Sequence, residues 1–133
     1  MNTLPTVSVI VLNWNGRSYL DMCFDSLFAL DYPVERLELI MVDNGSTDDS
    51  VAFIQKQYPR VKVVETGKNL GFACGNNWGA RAAIGDYVAF LNNDAQVTPD
   101  WLIELVQAIQ SDPEVVCAGS RLMNFAGNQV EFG

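Results

Sequence analysis

A chain of 133 residues without a single histidine lacks the commonest general base, the commonest metal ligand and half of every Ser-His or Cys-His pair. Any chemistry must run on carboxylates, amides, hydroxyls or a metal held by oxygen. The stretch that offers these side by side is "LNNDA", Leu91 to Ala95, where the strand-like run "YVAFL" ends in Asn92, Asn93 and Asp94. An aspartate beside two amides is a hard-oxygen set that suits a metal ion. The same residues make an ordinary turn, because Asn and Asp cap their own backbone. The triplet alone leaves both readings open.

Three more strand-like runs end in comparable residues. "VSVIVL" (Val7 to Leu12) is followed by Asn13, Trp14, Asn15 and Gly16, and "LELIMV" (Leu37 to Val42) by Asp43, Asn44 and Gly45. "VKVVE" (Val61 to Glu65) leads into Gly67, Lys68, Asn69, Leu70 and Gly71. An aromatic plane, a carboxylate able to accept from a base N–H or a ribose hydroxyl, and a metal-capable aspartate together suit a nucleoside diphosphate. Taken singly, Asp43-Asn44-Gly45 is good turn chemistry, Trp14 is packing, and the glycines of "NLGFACGNNWGARAAIGDY" let a helix approach a sheet. Their shared place at one end of several strands favours the functional reading.

The elements between these ends fix that shared place. "YLDMCFDSLFAL" sets Leu20, Cys23, Phe24, Leu27 and Leu30 on one helical stripe. "VAFIQKQY" follows "GSTDDS", in which Ser46 and Asp49 match a capping box. "VTPDWLIELVQAIQ" offers Thr98 as N-cap, Pro99 at the first helical position, and Leu102, Leu105, Val106 and Ile109 turned inward. A fifth strand is expected at "VVCAG", Val115 to Gly119. Alternating strands and helices make βαβ units, hence one α/β domain with a parallel sheet whose ligands bind at the carboxyl ends of the strands.

Composition narrows the partners. Eight Lys or Arg against 16 Asp or Glu give a formal charge of −8, which argues against nucleic acid held on a basic face. No apolar run reaches the roughly 18 to 20 residues of a membrane span, and "MNTLPTVSV" lacks the features of a leader, so a cytoplasmic location is expected. Cys23, Cys74 and Cys117 are scattered and read as reduced, mostly buried thiols. Neither GxxxxGK[ST] nor a GxGxxG after the first strand occurs, which disfavours a P-loop NTPase and a dinucleotide dehydrogenase.

In order along the chain, "VSVIVLNWNG", "LIMVDNGSTDDS", "NLGFACGNNWGARAAIGDYVAFLNNDAQVTPDWL" and "VVCAGSRLMN" resemble successive blocks of the family 2 glycosyltransferases with the GT-A fold. "NLGFACGNN" and "LNNDA" are similar to the bacterial rhamnosyltransferase-like branch. The resemblance implies a Rossmann-like open, mostly parallel sheet flanked by helices and incomplete at its C-terminal side, with residues 1–133 as the nucleotide-sugar-binding portion. It implies that Leu12, Asn13 and Trp14 line the base pocket, that Asp43 reads the pyrimidine and ribose, and that Gly71 opens a loop near the donor phosphates. Asn93 would face the ribose, and Asp94 would bind Mg²⁺ or Mn²⁺. Asn92 stands where the family's DxD motif begins with aspartate. A neutral amide there implies weak metal binding without the donor.

The activity so implied is transfer of a hexosyl or rhamnosyl group from a UDP- or dTDP-linked sugar to a saccharide or lipid-linked acceptor. It belongs to cell wall or polysaccharide biosynthesis, with peripheral membrane association of the full enzyme. The family's carboxylate base lies well beyond the DxD block, so it is expected past residue 133. Asp100, Glu104, Asp112, Glu114 and Glu131 are poor candidates, and no catalytic residue is assigned. The alternative is a non-catalytic nucleotide-binding or interaction module, pairing with another chain through an uncovered sheet edge.

Overall fold

In the computed structural model, the described residues are 3–127 and 129–132; Met1 and Asn2 of the stretch read for a leader, with Asn128 and Gly133, lie outside them. Four strands, β1 (Val7–Asn13), β2 (Leu37–Asp43), β3 (Lys62–Glu65) and β4 (Tyr87–Asn92), form one sheet in the order β3-β2-β1-β4. All its pairings are parallel, and β1 pairs in register from Val7↔Leu37 to Asn13↔Asp43 on one side and from Val7↔Tyr87 to Leu12↔Asn92 on the other. Helices α1 (Arg17–Phe28), α2 (Ser50–Gln57) and α3 (Phe72–Ala82) make the crossovers, and α4 (Trp101–Gln110) follows β4. The expected strand and helix alternation thus holds through Gln110. Among the described residues no helix is long and apolar enough to cross a membrane.

The central strands are apolar on both faces because both are covered. Val9, Val11, Leu39 and Met41 pack with Leu20, Cys23, Phe24 and Leu27 of α1, Ile54 of α2, and Leu102 and Val106 of α4. The other face is thinner: Ile10, Ile40 and Val42 lie under α3. This helix sits close because its inner positions are glycines. A Cβ at Gly79 would stand 2.5 Å from Ile10 Cγ2, and one at Gly75 would stand 2.6 Å from Leu12 Cδ1. On β4, Val88 and Phe90 stay exposed. The amino ends of the strands are tied separately, since Glu38 Oε1 accepts from Ser8 Oγ and from the Ile84 N–H.

Several sequence expectations change. Val115 to Gly119 is not a strand but irregular chain, and Val116 is almost fully exposed. A β-rich run becomes a strand only where a neighbour supplies hydrogen bonds, and none pairs here among the described residues. The short antiparallel pair β5 (Leu122–Met123) and β6 (Val130–Phe132) was not expected. Helix α4 starts at Trp101, not Pro99, and the Thr98 hydroxyl donates to Asp100 Oδ1 instead of capping a free N–H. Leu105 and Ile109 are half-buried rather than core. Ser46 and Asp49 form no capping box: Asp49 precedes α2 without a side-chain cap bond, while Ser46 bonds across to the β1 loop. Of the three thiols only Cys23 is buried.

Candidate functional site

Because the strands are parallel and in register, the carboxyl ends of β1, β2 and β4 emerge together, bringing Asn13, Asp43 and Asn92 to one edge. A side-chain chain runs across this edge. Asn93 Nδ2 donates to Asn13 Oδ1 at 2.9 Å, and Asn13 Nδ2 donates to Asp43 Oδ1 at 3.2 Å. Asp43 Oδ2 accepts the Ser46 N–H at 2.9 Å. Asn13 is fully buried and Asp43 only 3% exposed, so burial demands these bonds. Gly16 provides the clearance, since a Cβ there would lie 2.5 Å from Asn13 Oδ1 and would run into Asn93 Nδ2.

Two asparagines fasten the flanking loops. Asn15 has a φ of 50°, a left-handed conformation that asparagine tolerates, and its Oδ1 accepts the Thr47 N–H at 2.8 Å and the Asp48 N–H at 3.3 Å. Its own N–H donates to Ser46 Oγ at 2.9 Å. Buried Asn44 grips the loop before α3: its Nδ2 donates to Asn69 Oδ1 and Gly71 O, each at 3.1 Å, and its Oδ1 accepts the Leu70 N–H at 3.0 Å. Gly71, with a φ of 83°, stands directly before the first turn of α3, and no side chain caps that turn. Asn44, Asn15 and Ser46 were not singled out in these roles. The only sequence signal for them was the density of Asn and Ser after β1 and β2.

The β4 end is built differently. The Ala95 N–H bonds Asn92 O at 3.1 Å, so "LNNDA" is a turn in its backbone. Asp94 takes no part in holding that turn: its carboxylate is exposed and has no hydrogen-bond or ion-pair partner among the described residues. With Asn92, Asn93, Leu12 and Phe72 it lines a cleft of 240 Å³. Beneath, Cys23 Sγ reaches Asn92 O at 3.8 Å, and burial, aided by the negative charge of Asp94, pushes its thiol up to about 12. Trp14, 54% exposed, sits on the β1 loop but does not line the cleft.

A larger hollow of 790 Å³ lies elsewhere, beside Tyr87 at the start of β4, under Ile109, Pro113 and the irregular Val115 segment. The candidate acids Asp100, Glu104, Asp112, Glu114 and Glu131 are all exposed, and none lines the cleft of Asp94.

Divalent metal can be tested against these donors. No group of three or more His, Cys, Asp or Glu able to hold an ion occurs among the described residues. The acceptors that the cleft nevertheless offers are hard oxygens, from one carboxylate and two neighbouring amides, beside the apolar Leu12 and Phe72. Such a set fits a hard cation that takes its remaining oxygens from a phosphate ligand or water, and does not fit a closed protein cage.

Comparison with known proteins gives the family and the fold. The model of glycosyl transferase family 2 matches residues 8–131. An uncharacterised glycosyltransferase of Haemophilus influenzae is 31% identical over 125 residues, covering 92% of this chain and 38% of that protein. Among solved structures, a mannosyltransferase from Pyrobaculum calidifontis in complex with GDP-Man and Mn²⁺ superposes with a TM-score of 0.79 at 29% identity, covering 85% of this chain and 34% of that one. S. aureus TarS 1-349 in complex with UDP-GlcNAc gives 0.73 at 27% identity, covering 80% and 31%. The chain thus spans well under two thirds of each of these proteins. Its four-stranded parallel sheet with flanking helices is the GT-A arrangement of these neighbours, and the chain belongs to glycosyl transferase family 2.

Proposed function

We propose that residues 1–133 form the donor-binding portion of a glycosyltransferase that moves a sugar from a nucleoside diphosphate to a saccharide or lipid-linked acceptor. The observation that carries this reading is the exposed, unpartnered carboxylate of Asp94 at a cleft on the carboxyl edge of a parallel sheet, where such sheets take ligands. The neighbours crystallised with GDP-Man and Mn²⁺ and with UDP-GlcNAc support the same class of donor.

In this reading Leu12 and the β1 loop with Asn13 and Trp14 receive the base. Asp43, whose two oxygens each accept one bond, keeps lone pairs for a base N–H or a hydroxyl. Gly71 lets the loop before α3 come near the phosphates, and Asn93 lies at the ribose. Asp94, with the amide oxygen of Asn92 as a neutral ligand, would hold Mg²⁺ or Mn²⁺. A divalent ion held there would offset the pyrophosphate charge in a chain of net charge −8 and would supply charge stabilisation to the leaving nucleoside diphosphate. Since Asp94 is the one carboxylate lining the cleft, the base that deprotonates an acceptor hydroxyl is assigned to none of the described residues.

Calorimetric titration with UDP, dTDP and GDP, with and without Mn²⁺, tests this. We expect at least one of them to bind, tighter by about tenfold with the ion, a gain of about 1.4 kcal/mol. Absence of binding, or binding indifferent to Mn²⁺, would overturn it. The purified chain should show no transfer from a nucleotide sugar.

A further inference from the structure

The side-chain chain across the strand ends has a direction. Asp43 offers only acceptors to its neighbours, so the amide of Asn13 must turn its NH₂ toward it. The same NH₂ also reaches Ser46 Oγ at 3.3 Å, an oxygen that already accepts the Asn15 N–H. Asn13 therefore has its carbonyl left for residue 93, and Asn93 answers with its own NH₂ at 2.9 Å. What remains of the Asn93 amide is its carbonyl oxygen and one N–H, with the carbonyl turned away from Asn13 on a side chain that lines the cleft beside Asp94. Two buried or half-buried amides are thus oriented by one carboxylate, Asn13 directly and Asn93 through Asn13.

We propose that Asn13 is a positioning residue that transmits the acceptor-only character of Asp43 to Asn93, so that Asn93 presents a carbonyl oxygen to a hydroxyl donor of the bound nucleotide. This inference rests on the nucleotide reading above for its ligand, but the relay itself is a property of the free protein. It explains why a neutral residue at position 93 can still be a defined acceptor: a solitary asparagine could present either end, whereas this one is held in one orientation. It also gives Asp43 an influence on the cleft without touching it.

The shape-conserving variant Asp43→Asn reverses the logic. Residue 43 keeps an oxygen for the Ser46 N–H and turns its NH₂ to Asn13, which flips; Asn93 then gives its carbonyl to Asn13 and its NH₂ to solvent. Hydrogen exchange of side-chain amides, followed by NMR in the 133-residue chain, reads this directly. We expect the Asn93 NH₂ to exchange slowly in the parent and at least tenfold faster in Asp43→Asn, with backbone amides of β1 and β2 still protected. Equal protection in both proteins overturns the relay. In a second arm, UDP should bind the parent about tenfold tighter than 2′,3′-dideoxy-UDP, and Asn13→Leu should bring that ratio within twofold of unity. Binding of both nucleotides with no preference overturns the hydroxyl assignment. Binding of neither removes the nucleotide reading and with it the ligand of this proposal, while the exchange arm still decides the relay.

Discussion

Asp43 and Asp94 lie at the carboxyl ends of two parallel strands of one sheet, and each is followed by residues that suit a turn. Their surroundings are opposite. Asp43 is 3% exposed with both oxygens engaged, whereas Asp94 is exposed with no partner among the described residues. The difference follows from position in the sheet. β2 lies between β1 and β3, so neighbouring loops close over its end; β4 pairs with β1 on one side and with no strand among the described residues on the other. A carboxylate at a covered end becomes part of the frame, and one at an open end is left for a ligand.

The largest expected effect breaks the frame. Asp43→Ala leaves the half-buried Ser46 N–H without its acceptor and the buried Asn13 NH₂ with only the 3.3 Å bond to Ser46 Oγ, so urea unfolding should show a loss of about 3 kcal/mol. Nucleotide affinity should fall far more than in Asp48→Ala, whose site is exposed; equal affinity losses would reduce Asp43 to a turn residue.

Asp94→Asn sharpens the contrast from the other side. Stability should stay within about 0.5 kcal/mol of the parent, while Mn²⁺-dependent diphosphate binding drops about tenfold, roughly 1.4 kcal/mol, and nucleoside binding holds. A loss of stability with intact Mn²⁺ dependence would make Asp94 a structural cap and end its assignment as metal ligand.

A thiol reports on the same strand end. At pH 8 a disulfide reagent should modify Cys74 and Cys117, which are exposed, and leave Cys23 until the protein unfolds. Asp94→Asn should leave Cys23 protected, because burial is the greater cause of its raised pKa and the aspartate the lesser. Rapid modification of Cys23 in the folded parent would show that the floor of the cleft is open.

The smallest effect concerns Asp48. Partial burial opposes its ionisation, but N–H bonds from Ser50 and Arg17 and the Arg17 charge outweigh it, so its folded pKa lies below the ordinary value. A lowered folded pKa means stability present above the unfolded pKa and lost as pH falls through the folded one. Asp48→Asn should flatten that acid limb by about 0.5 kcal/mol or less, given its exposure.

Much of this was legible in the sequence. Strands β1 and β2 could be placed because their runs are apolar on both faces, as in a covered parallel sheet, and β3 and β4 because theirs are short and rich in β-branched or aromatic residues, although one face of β4 stays exposed. Once those were placed, Asn13, Asp43, Asn92, Asn93 and Asp94 had to share an edge. Which aspartate would be buried could not be read, since that depends on the order β3-β2-β1-β4 and not on local residues. Val115 to Gly119 misled because its composition is strand-like while no strand among the described residues pairs with it. Ser46 misled because a serine three residues before an acid is a helix-start pattern, and the Asn15 N–H and Asn13 compete for the same hydroxyl. Cys74 falls on an outer face of α3, where a small apolar residue carries no periodic mark.

Asn15, held with a φ of 50° by bonds to the Thr47 and Asp48 N–H groups, joins the loop after β1 to the loop after β2. Those loops therefore move as one body, and their freedom is already lost when the chain folds. A nucleotide arriving at that edge meets a wall that needs little further ordering, so its binding entropy should be governed by released water and by the ligand's own torsions rather than by loop closure.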